Sequence, residues 1–323
     1  ASRAVRDEPA ASHSETDATR DAARIDEDAV RANRLETVSQ IAAAHGDTDS
    51  IRAAAADRAP AVPTGTPRAD AVASDLRALE LLTAESGARI AGPEFDHFYA
   101  TSGGYGYTWF RDEAEASSAL LAAADELDLD VTDRLLDSAA FLCRTQDADG
   151  SWPHRVWADS GRVAPGWANA RIESTDGDDP NDQLDQPATV VAFLATLRRR
   201  RDVPEALSAR LDETIADAFR FLRETTRDDG LPRRCQNCWE NAVGRFTHTA
   251  SAYLRAYSAV ARAPVDPELR ARAARAADGV VAGLQERWIP ELERFPQRAS
   301  AHESDERADA NTFGLADALA EYD

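Results

Sequence analysis

PATVVAFLATLRRRRDVPEALSARLDETIADAFRFLRETTR, residues 187–227, reads as two helices and one short link. Val190, Phe193, Leu194 and Leu197 recur at i, i+3 and i+4 spacing, and so do Leu211, Ile215, Phe219 and Leu222. Only residues 201–203 separate the two predicted helices, 187–200 and 204–227. So short a link sets them antiparallel and side by side.

The same reading extends outward. Apolar periodicity predicts helices over 67–85, 112–127, 131–146, 245–262, 267–287 and 308–321, and convincing strands are lacking. Links alternate in length. Those at 128–130, 201–203 and 263–266 are short, while those at 86–110, 147–186, 228–244 and 288–307 are long. If successive hairpins pack side by side, every long loop emerges on one face. All six Trp (109, 152, 157, 167, 239, 288) lie in or beside these loops. Loops above ~15 residues in a compact domain are usually functional. A weak internal echo, DADGSWPHR (147–155), RDDGLPRR (227–234) and RWIPELERFPQR (287–298), supports repetition. The predicted class is all-α: helical hairpins arranged as an arc or toroid.

Three segments are expected. Residues 1–17 are polar and predicted disordered. Residues 18–66 form a helical linker, with Ile25, Val30, Leu35, Val38 and Ile41 as a thin stripe and DRAPAVPTGTPR (57–68) marking the boundary. Residues 67–323 form the main domain.

The chain has 323 residues and a net charge of −21, which disfavours nucleic acid and anionic lipid as partners. All its basic residues are Arg, and Met is absent. Carboxylates without Lys resemble the surfaces of proteins adapted to high salt, where self-repulsion is screened over ~3 Å at 1 M. The missing Met suggests a processed or excised chain. No apolar run approaches the ~18 residues of a membrane span, and no signal peptide is visible. A cytoplasmic, high-salt setting is the resulting expectation.

A rim rich in Trp, Tyr, Arg and carboxylates suits sugars. Indoles stack on the apolar faces of pyranose rings, and charged forks bond the hydroxyls. About half of the Trp are expected merely to pin loops, since Trp is usually mostly buried. SGGYGYTWFRD (102–112) combines three glycines with aromatics and an Arg111–Asp112 fork at a helix start. Helix capping alone would explain Asp112 but not the cluster. In CQNCWEN (235–241), Glu240 follows an indole, an environment that raises a carboxyl's proton affinity and suits a general acid. Taken alone, Glu240 reads rather as a solvated or capping residue. Asp185-Gln186-Pro187 reads as an ordinary helix start.

SGGYGYTWFRDEAEAS (102–117), DADGSWPHRVW (147–157), DQLDQPATVVAFL (182–194) and CWENAVGRFTHTASAYL (238–254), preceded by LRALELLTAESGARIAGPE (76–94), occur in that order. This series resembles glycoside hydrolase family 15, the glucoamylases, in its bacterial and archaeal branch. The resemblance runs from about residue 70 to the end. It implies an (α/α)6 toroid and inverting release of β-glucose from the non-reducing ends of α-glucans or maltooligosaccharides, without a cofactor or metal. It implies Glu240 as general acid with Trp239 beside it, and Arg111 and Asp112 gripping the terminal glucose. Tyr107, Trp109 and Trp152 would line the sugar site. The family's base-bearing loop would lie beyond Asp323, so the remainder of the barrel is an expected partner. Nothing in the surroundings of Glu303, Glu306 or Glu321 marks a substitute base. Trehalase, dextran- or isomaltose-directed activity, and non-catalytic glucan binding are the alternatives. A helical lyase or terpene-type cyclase fits these Arg- and Trp-rich loops poorly.

Cys235-x-x-Cys238 is half a zinc site without a second half, so a local disulfide or two free thiols is expected. Cys143 reads as a core residue. The six His show no metal-ligand spacing. His97 and His154 fall in rim loops, and His248 reads as structural.

Overall fold

The computed structural model describes residues 59–92, 104–164, 182–240, 242–299 and 304–323, with positions 49, 53 and 56. The predicted tail, most of the linker helix, Trp167, His97 and Glu303 lie outside the described residues. Among the described residues from 59 onward there are eight α-helices: α1 (Ala69–Leu82), α2 (Phe110–Leu127), α3 (Thr132–Arg144), α4 (Asp185–Arg200), α5 (Glu205–Glu224), α6 (Thr247–Arg262), α7 (Pro267–Gln285) and α8 (Gly314–Tyr322). Each of the eight predicted helices has its counterpart.

Burial sorts them into two layers. In α4 every residue from Asp185 to Ala195 is buried, so Ala, Val, Phe and Leu on all sides meet protein. In α5 only one stripe is buried (Leu211, Thr214, Ile215, Ala218, Phe219, Leu222). Inner α4 packs between α2 and α6, while α5 lies outside it and α7 outside α6. Helix α8 packs on α6. The core is one continuous apolar cluster running through these helices.

Two of the three echoed segments, 147–155 and 227–234, share one turn, whereas in the third, 287–298, Ile289 N–H donates to Arg294 O (3.0 Å) across a wider turn. Asp147 N–H donates to Ser151 O (2.9 Å) and Gly150 N–H to Asp147 O (2.9 Å); Arg227 donates to Leu231 O and Gly230 to Arg227 O with the same lengths. Ala84–Ala88 forms the same pair of bonds, a repeat the sequence reading did not include. Gly150 has φ +95° and Gly230 φ +79°, and each turn rests on the backbone of the next outer helix. A Cβ on Gly150 would stand 2.3 Å from Asp217 O, and one on Gly230 2.2 Å from Gly279 O. Gly150→Ala is therefore expected to cost more than the ~1–2 kcal/mol of left-handed strain alone. Thermal denaturation in molar KCl measures this.

Among the described residues, five two-residue strands link the long loops, which the sequence reading left unpaired. β1 (Thr108–Trp109) pairs antiparallel with β2 (Arg155–Val156). β3 (Arg245–Phe246), β4 (Arg298–Ala299) and β5 (Ser304–Asp305) form a small sheet. A parallel bridge joins Gln183 to Gln236. Each long loop is thus hydrogen-bonded to the next. Pairs this short carry no period-2 signal, because partners in other loops create them.

Candidate active site

Loop pairing gathers side chains from two long loops and the first turn of α2 around a cavity of about 240 Å³. Its walls are Ala91, Tyr105, Trp109, Arg111, Asp112, Cys238 and Glu240. Four residues singled out from sequence therefore meet here: Trp109, Arg111, Asp112 and Glu240.

Glu240 sits at φ +45°, a region L-residues rarely adopt. Its N–H closes a turn onto Asn237 O (2.9 Å), and Asn237 Oδ1 accepts from Trp239 N–H (3.0 Å). Residues near the C-terminus hold the turn. Trp239 Nε1 donates to Asp309 Oδ2 (3.2 Å), and Asn311 Nδ2 donates to Cys238 Sγ (2.8 Å).

One carboxylate oxygen of Glu240 is anchored. Gln183 Nε2 donates to Oε1 at 3.0 Å, and His154 Nε2 lies 3.1 Å from the same atom. Among the described residues Oε2 has no hydrogen-bond partner. Burial pushes this carboxyl's proton affinity up, but the bonds from His154 and Gln183 and the nearby Arg111 outweigh it and hold it below the usual glutamate range. This corrects the sequence reading, which expected an adjacent indole to raise it. Trp239 is 47 % exposed, bonded to Asp309 and outside the cavity wall.

A depressed folded-state midpoint stabilises the fold above the ordinary glutamate range and loses that contribution as pH falls through the lowered midpoint. His154→Ala removes one of the two bonds. It is expected to move Glu240's titration upward, toward the ordinary range, in side-chain carboxyl 13C NMR.

Asp112 behaves oppositely. It stands in the first turn of α2, as its third residue rather than as a cap, because the helix starts at Phe110. Its side chain opens onto the cavity, yet the protein packed around it raises its proton affinity, as do Glu240 and Asp185; Arg111 opposes the rise. Two carboxyls on one cavity therefore lean in opposite directions.

Arg111 donates through Nη1 to Gln183 Oε1 (2.8 Å) and Asp185 Oδ2 (2.9 Å). Burial works against its charge, but Asp185 and Asp112 together hold its affinity above the ordinary value. Asp185 is fully buried at the start of α4. The sequence reading as a plain helix start is corrected: Pro187 is the third helical residue, and Asp185 is the counter-ion beneath the cavity. His248 Nδ1 lies 4.0 Å from Asp185 Oδ2, without a hydrogen bond.

Trp109 is fixed by Nε1 donating to Gly104 O (2.9 Å), and His154 meets its edge at 4.8 Å. Arg155, almost fully buried, lies 5.1 Å from the Trp109 ring and 5.3 Å from that of Tyr107. Burial lowers its proton affinity to about 10, against Tyr107 and Glu240. Tyr107 is buried behind Trp109, edge-on to Trp157 at 4.8 Å, and does not reach the cavity wall. Trp152 is also elsewhere. It is 6 % exposed, donates to Leu142 O (2.8 Å) and packs near Phe110.

The residues the sequence reading missed are Gln183 and Asp185, which orient Glu240 and Arg111, and Tyr105 and Cys238 on the wall. His154 was legible only as a rim residue; its place beside Glu240 depends on the β1–β2 pairing. The cysteines are free thiols, with Cys235 and Cys238 pushed up to about 12 by burial. Among the described residues no group of three or more His, Cys, Asp or Glu could hold a metal. Glu321 pairs with Arg199 (2.9 Å), away from the cavity.

No protein-family model matches the chain, and no curated protein sequence does. Among solved structures, a bacterial glucoamylase complexed with acarbose is similar over 83% of this chain and 39% of its own, with 16% identity and TM-score 0.54. The chain thus spans about two fifths of that protein's length. A UGL variant with dGlcA-Glc-Rha-Glc is similar over 92% of this chain and 73% of its own, with 16% identity and TM-score 0.52. At this identity the likeness is one of fold: the chain is built of helical hairpins in the manner of the (α/α)6 toroids.

Proposed function

We propose that this chain carries the sugar-binding cavity of a glycoside hydrolase that releases β-glucose from the non-reducing ends of α-glucans by inversion. The observation that carries the reading is Glu240, anchored through Oε1 with Oε2 unbonded, on one cavity with Trp109, Arg111 and Asp112. The ordered sequence blocks and the likeness in fold to a glucoamylase add to it.

In this reading Arg111 and Asp112 bond the hydroxyls of the terminal glucose, and Trp109 lies against the ring. Glu240 delivers a proton through Oε2 to the glycosidic oxygen as that bond breaks, while a water that gives its proton to a second carboxylate bonds to the anomeric carbon from the opposite face. A sugar oxygen at Oε2 and the expulsion of water favour the protonated form at that moment. The low proton affinity of the empty cavity places the active range on the acidic side: activity falls as pH rises through Glu240's midpoint.

A second reading rests on the opposed proton affinities of the two carboxyls. Asp112 would donate the proton and Glu240 would activate water, since an inverting pair needs one protonated and one ionised carboxyl. α-Glucosyl fluoride separates the readings, because its leaving group needs no proton. If Glu240 is the acid, Glu240→Gln keeps turnover of the fluoride and loses maltotriose. If Glu240 is the base, both are lost and Asp112→Asn keeps the fluoride. Maltose binding without turnover by the parent chain would replace both with a glucan-binding role.

A further inference from the structure

Arg111 and Glu240 share a pattern: each spends one atom on the protein and leaves the others to the cavity. Both bonds of Arg111 leave from Nη1, and among the described residues its Nε and Nη2 have no hydrogen-bond partner. Both side-chain bonds of Glu240 end on Oε1, and Oε2 has none. The two spent atoms meet on one side chain. Gln183 Oε1 accepts from Arg111 Nη1 at 2.8 Å, and Gln183 Nε2 donates to Glu240 Oε1 at 3.0 Å.

The amide bridges them in one orientation only. A guanidinium offers donors alone and an ionised carboxylate acceptors alone, so a flipped amide would set N–H against N–H and oxygen against oxygen. Gln183 is buried, so bulk water does not replace either bond. Its backbone is pinned as well. Gln183 forms the parallel bridge with Gln236, Gln236 N–H donates to Asp182 O (3.0 Å), and Gln186 N–H donates to Gln183 O (3.1 Å). The side chain therefore reaches from a fixed base to the first turn of α2 on one side and the Glu240 loop on the other.

Each end of the bridge has one further anchor, Asp185 Oδ2 for Arg111 and His154 Nε2 for Glu240. Either anchor bonds one of the two groups; among the described residues Gln183 alone bonds both. The charged and titratable groups around Glu240 are Arg111 and Asp112 of α2, His154 and Arg155 at β2, and Cys238 of its own loop, with Asp185 of α4 beneath Arg111. All but Gln183 act on Glu240 by charge or from one side. The amide is neutral, and its effect comes from where it points.

We propose that Gln183 is a positioning residue that joins the two halves of the site: its single amide aims both the guanidinium that holds the sugar and the carboxyl that exchanges the proton. The part played by Arg111 rests on the sugar-binding reading above; the hold on Glu240 does not.

The two ends of the amide are cut separately. Gln183→Glu keeps an oxygen for Arg111 but turns the donor at Glu240 into a second acceptor. Gln183→Met removes both bonds at similar length; Gln183→Asn, one methylene shorter, serves the same purpose if Gln183→Met disturbs folding. Two readouts are followed in molar KCl. One is the titration of Glu240 by side-chain carboxyl 13C NMR. The other is the indole 1H–15N response of Trp109, assigned by Trp109→Phe, to thiomaltose, whose sulfur linkage resists hydrolysis. Gln183→Glu should raise the upper midpoint of the carboxyl pair so formed by at least about one unit, tenfold in proton affinity, and keep the thiomaltose response. Gln183→Met should raise the midpoint by less and weaken thiomaltose at least about threefold. Midpoints unchanged in both variants, or one readout moving without the other in Gln183→Met, overturn the proposal while leaving sugar binding in place. So does an equal loss of sugar binding in both variants, the pattern of general damage. No thiomaltose response from the parent chain overturns the proposal together with the sugar reading.

Discussion

Glu240→Gln is expected to lower glucose release from maltotriose by about 10²–10⁴-fold, the range for removing a positioned proton-transfer group. The loss should fall on kcat, with KM little changed, because Gln keeps the size of the side chain and an oxygen for His154 and Gln183. The turn should survive, since its bonds to Asn237 are made by backbone. The pH profile adds a readout that mere structural damage would not produce. The lowered midpoint of Glu240 should appear as the alkaline limb of the parent profile and vanish in the variant. Equal release by both chains would remove Glu240 from the chemistry. Absence of release from the parent chain, with maltose still bound, would make sugar binding its activity.

Asp185→Asn should cost about 3–5 kcal/mol of stability, the price of leaving a buried charge without its counter-ion. Asp185 is fully buried, Arg111 is 15 % exposed, and their contact is 2.9 Å. Gln183 Oε1 would still accept from Arg111, but a neutral amide does not balance a guanidinium. Chemical denaturation in molar KCl gives the number. The double substitution Arg111→Met with Asp185→Leu should recover most of it, because an apolar pair of similar volume is often neutral. Sugar binding at the cavity should be lost in the single and the double alike, which separates the role of Arg111 in binding from that of Asp185 in stability.

Much of this molecule is legible as period and punctuation. Helices α4 and α5 follow from Val190–Leu197 and Leu211–Leu222, since a 3.6-residue stripe needs no partner to be read. The Asp-Gly turns at 147–151 and 227–231 follow from a residue type suited to positive φ. The first such turn, Ala84–Ala88, was missed because its glycine follows Ser rather than Asp. Trp109, Arg111 and Asp112 were visible as unusual residues at a helix start and Glu240 in a long loop, and the loop pairings bring them to one cavity.

The rest depends on distances between residues far apart in the chain. Asp185 reads as a helix start until Arg111, 74 positions earlier, is seen bonded to it. Gln183 and His154 are unremarkable in sequence, yet both bond one oxygen of Glu240 and reverse the expected direction of its proton affinity. Trp239 adjoins Glu240 in sequence and turns instead to Asp309. The sequence by itself determined the helices, the hairpin order and the loops that bear the chemistry, because local periodicity and turn residues encode them. Only the tertiary structure decided which carboxyl leans toward its proton and which toward its charge. That balance is a sum of burial and hydrogen bonds from loops that no local signal connects.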